Sequence, residues 1–101
     1  MLEVGGIWVS PVEVENCLEE HPAVLENAVV GHRDDKGLVK PKAFVVLREG
    51  FTPSDQLEEE LKKWIMERMA KYKYPRWIEF VNELPKSSTG KTQRFRLRQE
   101  D

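Results

Sequence analysis

Between Ser54 and Lys71 the apolar residues Leu57, Leu61, Trp64, Ile65 and Met69 recur at helical spacing, with charged side chains filling the positions between them. Such a stripe forms one face of a helix, and that face is stable only when another layer covers it. Ser54 stands at the N-cap position, so the longest helix of the chain starts there and runs to about Lys71. The aromatic and methionine content of the stripe reads as core rather than as a cofactor pocket. The rest of the fold must supply a sheet for this face to pack on.

Three segments can build that sheet. Residues 25–33, centred on Ala28-Val29-Val30, read as a strand, and Asp34-Asp35-Lys36-Gly37 as a turn. Lys42 to Arg48 is a strongly apolar strand that should pair antiparallel with the first. Pro75 disfavours helix at Tyr74, which makes Tyr72 to Arg76 a loop leading into a third strand, Trp77 to Val81. Upstream, residues 4–9 read as a short hairpin strand in which Gly5-Gly6 lets another backbone or a thin ligand come close. Ser10-Pro11-Val12-Glu13 is a capping box with proline at the first helical position. The helix it opens has Val14, Cys17 and Leu18 on its apolar face and ends at His21-Pro22. A short terminal helix is expected from about Gln93. The order β-α-β-β-α-β-α predicts a small α+β domain, with a short N-terminal hairpin and a three-stranded sheet flanked by helices.

Length and composition narrow the function classes. With 101 residues the chain is one domain with a modest core, small for an enzyme that must hold several substrates. No apolar run is long enough to span a bilayer and no secretory leader is recognisable, so a cytoplasmic location is the expectation. One cysteine and two histidines cannot make a disulfide or a Cys/His metal cluster, and no metal site is expected. Cys17 reads as core, and His21 and His32 as surface or strand-end positions. Charge is unevenly spread: residues 1–70 hold 8 basic and 14 acidic side chains, residues 71–98 hold 8 basic and 2 acidic. The basic C-terminal third suggests an anionic partner such as phosphate.

Within that third, Pro85-Lys86-Ser87-Ser88-Thr89-Gly90-Lys91-Thr92-Gln93-Arg94 carries three cations, three hydroxyl residues before Lys91 and no carboxylate. It reads as a mobile loop with a cation at its tip, where Pro85 stops a strand and Gly90 frees the backbone next to Lys91. The pattern Pro-Lys-x-x-x-Gly-Lys-x-x-Arg resembles the closing motif of the adenylate-forming enzymes, the acyl-CoA synthetase superfamily. A second match lies at the other end, where Val4-Gly5-Gly6-Ile7-Trp8-Val9-Ser10-Pro11-Val12-Glu13-Val14-Glu15 resembles the Gly-rich hairpin and Ser-Pro-x-Glu-hydrophobic-Glu opening of that superfamily's C-terminal domain. The two motifs span nearly the whole chain. Tyr72 to Val81 is similar to the corresponding run in benzoate–CoA and related aryl–CoA ligases. Glu3 departs from the lysine usual at that position.

The resemblance implies that residues 1–101 are the C-terminal lid domain of an AMP-forming acid–CoA ligase, whose N-terminal adenylate-binding domain is absent. ATP (with Mg²⁺ in the full enzyme), CoA and a carboxylic acid are the implied substrates. It gives Lys91 the adenylation step, with Lys86, Gly90 and Arg94 supporting its loop. It gives Gly5, Gly6, Ile7 and Trp8 part of the pantetheine tunnel, and Tyr72, Tyr74 and Arg76 contacts to the CoA nucleotide. The isolated chain is expected to be inactive. Benzoate or a hydroxybenzoate is the implied acid; a medium-chain fatty acid is the alternative. A different class of reading is a nucleic-acid or protein-binding α+β module. The acidic first two-thirds and the lack of alternating aromatic pairs stand against nucleic acid as a partner.

Overall fold

The Leu57–Met69 stripe folds as a helix, α2 (Asp55–Arg68), with the Ser54 hydroxyl accepting a hydrogen bond from Leu57 N at 3.0 Å. The computed structural model of the chain describes residues 2–4, 7–69, 74–93 and 96–97, with 2–4 and 7–9 described through their backbone. Leu61 and Ile65 are fully buried, and Leu57, Trp64 and Met69 pack against the same cluster. The helix ends earlier than the periodicity suggests, because Met69 already has extended backbone. In the last turn the Arg68 guanidinium folds back over Trp64, 3.2 Å from the ring centroid, and donates to the Trp64 carbonyl at 3.2 Å.

The elements preceding α2 are β1 (Leu2–Val4), β2 (Ile7–Val9), α1 (Pro11–Glu19), β3 (Val24–Arg33) and β4 (Val39–Leu47); β5 (Trp77–Phe80) follows it. The segment 4–9, read as one hairpin strand, forms parts of two: β1 and β2 pair antiparallel with Glu3 opposite Trp8. Helix α1 starts where expected, with Ser10 as N-cap and Pro11 at the first position. The serine half of the capping box does not form, since the Ser10 hydroxyl makes no cap hydrogen bond. The extended Ser10 backbone and the preset φ of Pro11 define the helix start instead.

Val14, Cys17 and Leu18 are buried as predicted, and burial pushes the Cys17 thiol pKa up, as suits a core cysteine. The same helix buries Glu15, whose Oε2 accepts from Val29 N at 2.7 Å while its carbonyl accepts from Asn27 Nδ2 at 3.0 Å. One carboxylate thereby ties α1 to β3. His21 is also buried, against the surface reading. Its Nδ1 accepts from Ala23 N at 3.0 Å, so Nε2 carries the proton and donates to Glu60 at 2.7 Å. Trp64 packs edge-on to this imidazole and donates its Nε1–H to the Cys17 carbonyl at 2.9 Å. These contacts hold α2 against the end of α1.

The sheet has the order β3-β4-β5, with β3 and β4 antiparallel and β5 parallel to β4 across the α2 crossover. Near the start of β3 the register shifts: Val24 faces Leu47 and Glu26 faces Val46, leaving Leu25 extra and exposed. This bulge puts Val24 in the helix-side core with Val29, Ala43, Val45 and Ile78. It also leaves Glu26 on the opposite face, two residues from Ala28. There Ala28, Val30, Phe44 and Val46 form a second cluster with Leu84, against which Val81 and Leu97 pack. Helices therefore cover one face of the sheet, and the segment after β5 covers the other. The expected terminal helix falls largely outside the described residues; Arg96 N donates to the Gln93 carbonyl at 3.1 Å in a single turn. No helix among the described residues is long and apolar enough to cross a membrane.

The β3–β4 turn is held by Asp34, whose Oδ1 accepts from Leu38 N and Lys36 N, both at 2.9 Å, with Gly37 at φ 77°. The Leu38 N–H, chiefly, holds the Asp34 carboxyl below its usual pKa of 3.8; Lys36 N–H and the Lys40 and Arg76 charges act the same way. A carboxylate with a depressed folded-state pKa stabilises the fold above its unfolded value and loses that contribution as pH falls through the folded one. Asp34→Asn should therefore lower stability at neutral pH, and its gap to wild type should close as the pH drops below 3.8. Urea titrations at a series of pH values check this. In the core, Leu61→Ala should cost about 2–5 kcal/mol in the same assay. Met66→Ala, at a half-exposed site on the same helix, should stay within about 0.5 kcal/mol.

Candidate functional site

The segment from Pro85 to Gln93 is a closed hairpin rather than an open loop. Lys86 and Thr92 form an antiparallel bridge, and Gln93 N donates to the Pro85 carbonyl at 2.8 Å. Inside it, Ser87 N donates to the Lys91 carbonyl and Gly90 N to the Ser87 carbonyl, each at 2.9 Å. Gly90 has φ 80°, and a Cβ built there meets nothing within 4 Å. Glycine is needed there for its left-handed backbone, not for space. The hairpin stands on the second core cluster, because Leu84 is buried just before it and Leu97 packs there just after.

The cations of this region are not equivalent. Lys86 Nζ lies 2.6 Å from Glu26 Oε1, which ties the base of the hairpin to β3. Lys91 is exposed beside the turn and joins no ion pair among the described residues. A cation presented this way can neutralise an approaching anion without first leaving a carboxylate. Arg94, the third cation of the motif, lies outside the described residues.

The other predicted residues sit elsewhere. Arg76 is exposed at the start of β5, anchored by its backbone N–H to the Pro41 carbonyl at 2.8 Å. Its charge reaches the Asp34 carboxylate at the turn. Nearby, Lys42 pairs with Glu79 at 3.2 Å, and His32 packs edge-on to Trp77 with ring centroids 4.8 Å apart. Burial, and after it the Lys42 charge, pushes the His32 pKa down, favouring a neutral ring. Tyr74 is half-buried and packs against the helix-side core, while Pro75 is fully buried. Tyr72, Gly5 and Gly6 lie outside the described residues; Ile7 and Trp8 pair through their backbone with Val4 and Glu3. The fold thus carries the Lys91 hairpin on the face opposite the helices, whereas Tyr74 packs toward them. Among the described residues no three His, Cys, Asp or Glu side chains come together as metal ligands.

Two contributors to the hairpin escaped the sequence reading. Ser87 had a local signal: a hydroxyl a few residues before a glycine is suited to bonding the backbone of its own turn. Glu26 had none, since its partner is distant in sequence and the bulge decides which face it takes.

Residues 13–91 match the model of the AMP-binding enzyme C-terminal domain. The chain is similar to the benzoate–CoA ligase of Thauera aromatica, 57% identical over 98 residues, which cover 97% of this chain and 19% of that protein. Among solved structures it is similar to an anthranilate CoA ligase in complex with anthranoyl-AMP, with a TM-score of 0.91 and 59% identity over 96% of this chain and 19% of the other. It is also similar to a benzoate CoA ligase from Burkholderia xenovorans LB400, with a TM-score of 0.86 and 60% identity over 91% of this chain and 19% of that one.

Proposed function

The chain belongs to the AMP-binding enzyme C-terminal domain family, and from that premise we propose that it is the mobile C-terminal part of an ATP-dependent acid–CoA ligase acting on benzoate or a hydroxybenzoate. The observation that carries this reading is the exposed Lys91 beside the turn of a closed hairpin, whose other lysine is already paired. The benzoate and anthranilate specificities named for the similar ligases support the aryl acid. The chain spans 19% of each of those proteins, and in this reading the acid pocket lies in the remainder.

Joining a carboxylate to the α-phosphate of ATP brings two anions together and gathers negative charge on the oxygens between them. Lys91 neutralises that charge as it develops, and a positioned cation in a site closed to water acts more strongly on the transition state than in bulk solvent. After adenylation the domain turns, presenting Gly5, Gly6, Ile7 and Trp8 beside the pantetheine arm. Glycine backbone suits that role because it can pass close to a narrow chain. Arg76, with Tyr72 and Tyr74, meets the CoA nucleotide; a guanidinium forks onto phosphate oxygens, and the exposure of Arg76 beside β5 supports that role. The two tasks use different parts of the domain, so one hinge movement alternates between them. Because the nucleotide and acid pockets lie in the partner domain, the isolated chain does not turn over.

In the full-length ligase that carries this domain, Lys91→Ala should slow ATP–pyrophosphate exchange by about 100-fold to 1000-fold. Thioester formation from preformed acyl-adenylate should stay near the wild-type rate. Equal loss in both half-reactions, or none, would remove Lys91 from adenylation. Arg76→Ala should do the reverse, raising KM for CoA by about 10-fold or more with ATP–pyrophosphate exchange intact. A CoA titration of the thioester step reads this out, and an unchanged KM would take Arg76 out of the nucleotide site.

A further inference from the structure

An electrostatic catalyst on a long side chain works only if the backbone it hangs from is held in place, because small misplacements cost large factors in rate. In the hairpin both backbone polar groups of Lys91 are bound by one residue. The Lys91 N–H donates to Ser87 Oγ at 3.3 Å, and the Lys91 carbonyl accepts from Ser87 N at 2.9 Å. The Ser87 carbonyl accepts from Gly90 N at 2.9 Å, and its hydroxyl lies 2.9 Å from Thr89 Oγ1. A hydroxyl can accept and donate at once, so Ser87 Oγ can accept from the Lys91 N–H while donating to Thr89 Oγ1. The Ser87 hydroxyl thus adds a side-chain bond to Lys91 N in a turn that backbone bonds also close, above the base set by the bridge between Lys86 and Thr92.

We infer that Ser87 is a positioning residue for Lys91: by binding the Lys91 backbone on both sides it fixes the point from which the ammonium reaches the reacting carboxylate and phosphate. This rests on Lys91 being the adenylation lysine, as proposed above. Ser87 does not touch substrate in this scheme; it acts through Lys91 alone.

The test uses the full-length ligase with Ser87→Ala, Ser87→Thr, Lys91→Ala and the double variant Ser87→Ala/Lys91→Ala. Each is assayed for ATP–pyrophosphate exchange and for thioester formation from preformed acyl-adenylate, and each is melted. Ser87→Ala should lower kcat for adenylation by about 10-fold to 100-fold, the scale of a misplaced catalytic group, with KM for the acid and the thioester rate unchanged. Ser87→Thr keeps the hydroxyl and should restore the rate. In the double variant the Ser87 change should add nothing to the loss already caused by Lys91→Ala, since a residue acting through another has no effect once that other is gone.

Adenylation at the wild-type rate in Ser87→Ala, while Lys91→Ala is slow, would overturn the inference and leave the Lys91 reading standing. So would a further loss in the double variant, or a parallel fall in both half-reactions with a lower melting temperature, which marks a merely structural serine. Wild-type adenylation in Lys91→Ala would overturn the Lys91 reading, and the role of Ser87 with it.

Discussion

From Ala43 to Val46 the central strand has no polar face, and the rest of the domain follows from that. Ala43, Phe44, Val45 and Val46 are all buried, alternating between the two sides of the sheet. A strand apolar on both sides must be covered twice. Helices α1 and α2 cover one side with an ordinary amphipathic contact. The other side is covered by Leu84, Val81 and Leu97, apolar residues on irregular backbone that flank the Lys91 hairpin. The segment proposed to do chemistry is therefore also the segment that completes the core. Its hairpin can project into solvent because its two ends are fastened beneath the sheet.

Much of this architecture was legible in the residues. The α2 stripe, the Ser54 cap, the Asp34 turn and the apolar β4 run are local signals, and each folded within a few residues of the reading. What was hidden depends on distant partners. Nothing near Glu15 or His21 announces burial; each is buried because it meets another element, Val29 N in one case and Glu60 in the other. The bulge at Leu25 shows only when β3 is paired with β4, yet it flips Val24 into the helix-side core and sends Glu26 toward Lys86. At Ser10 the sequence pattern of a capping box was present without the serine hydroxyl's hydrogen bond, with proline setting the helix entry.

The site was legible to a similar depth. Its motifs point to Lys91, and the structure leaves that lysine exposed, but the cations of the basic third are not equivalent. Lys86 already faces the Glu26 carboxylate, whereas Lys91 does not. Sequence counts charges without their partners, and pairing decides which of them remain to attract a phosphate. The order inside the hairpin was also invisible, since a run of hydroxyl residues between cations looks solvated until one of them is seen to bond the backbone.

The parallel pairing of β5 with β4 bears on the order of assembly. An antiparallel neighbour can be reached through a tight turn, as β3 reaches β4 through Asp34–Gly37. A parallel one requires the chain to travel back along the sheet, here through residues 48–76 and α2. Closing so long a loop costs conformational entropy before its contacts return anything, so β5 docks late. Everything beyond β5 inherits that delay. During synthesis and refolding the lysine-bearing hairpin is therefore the last piece to find its place, and a domain arrested short of completion would have helices and a two-stranded core but no presented cation.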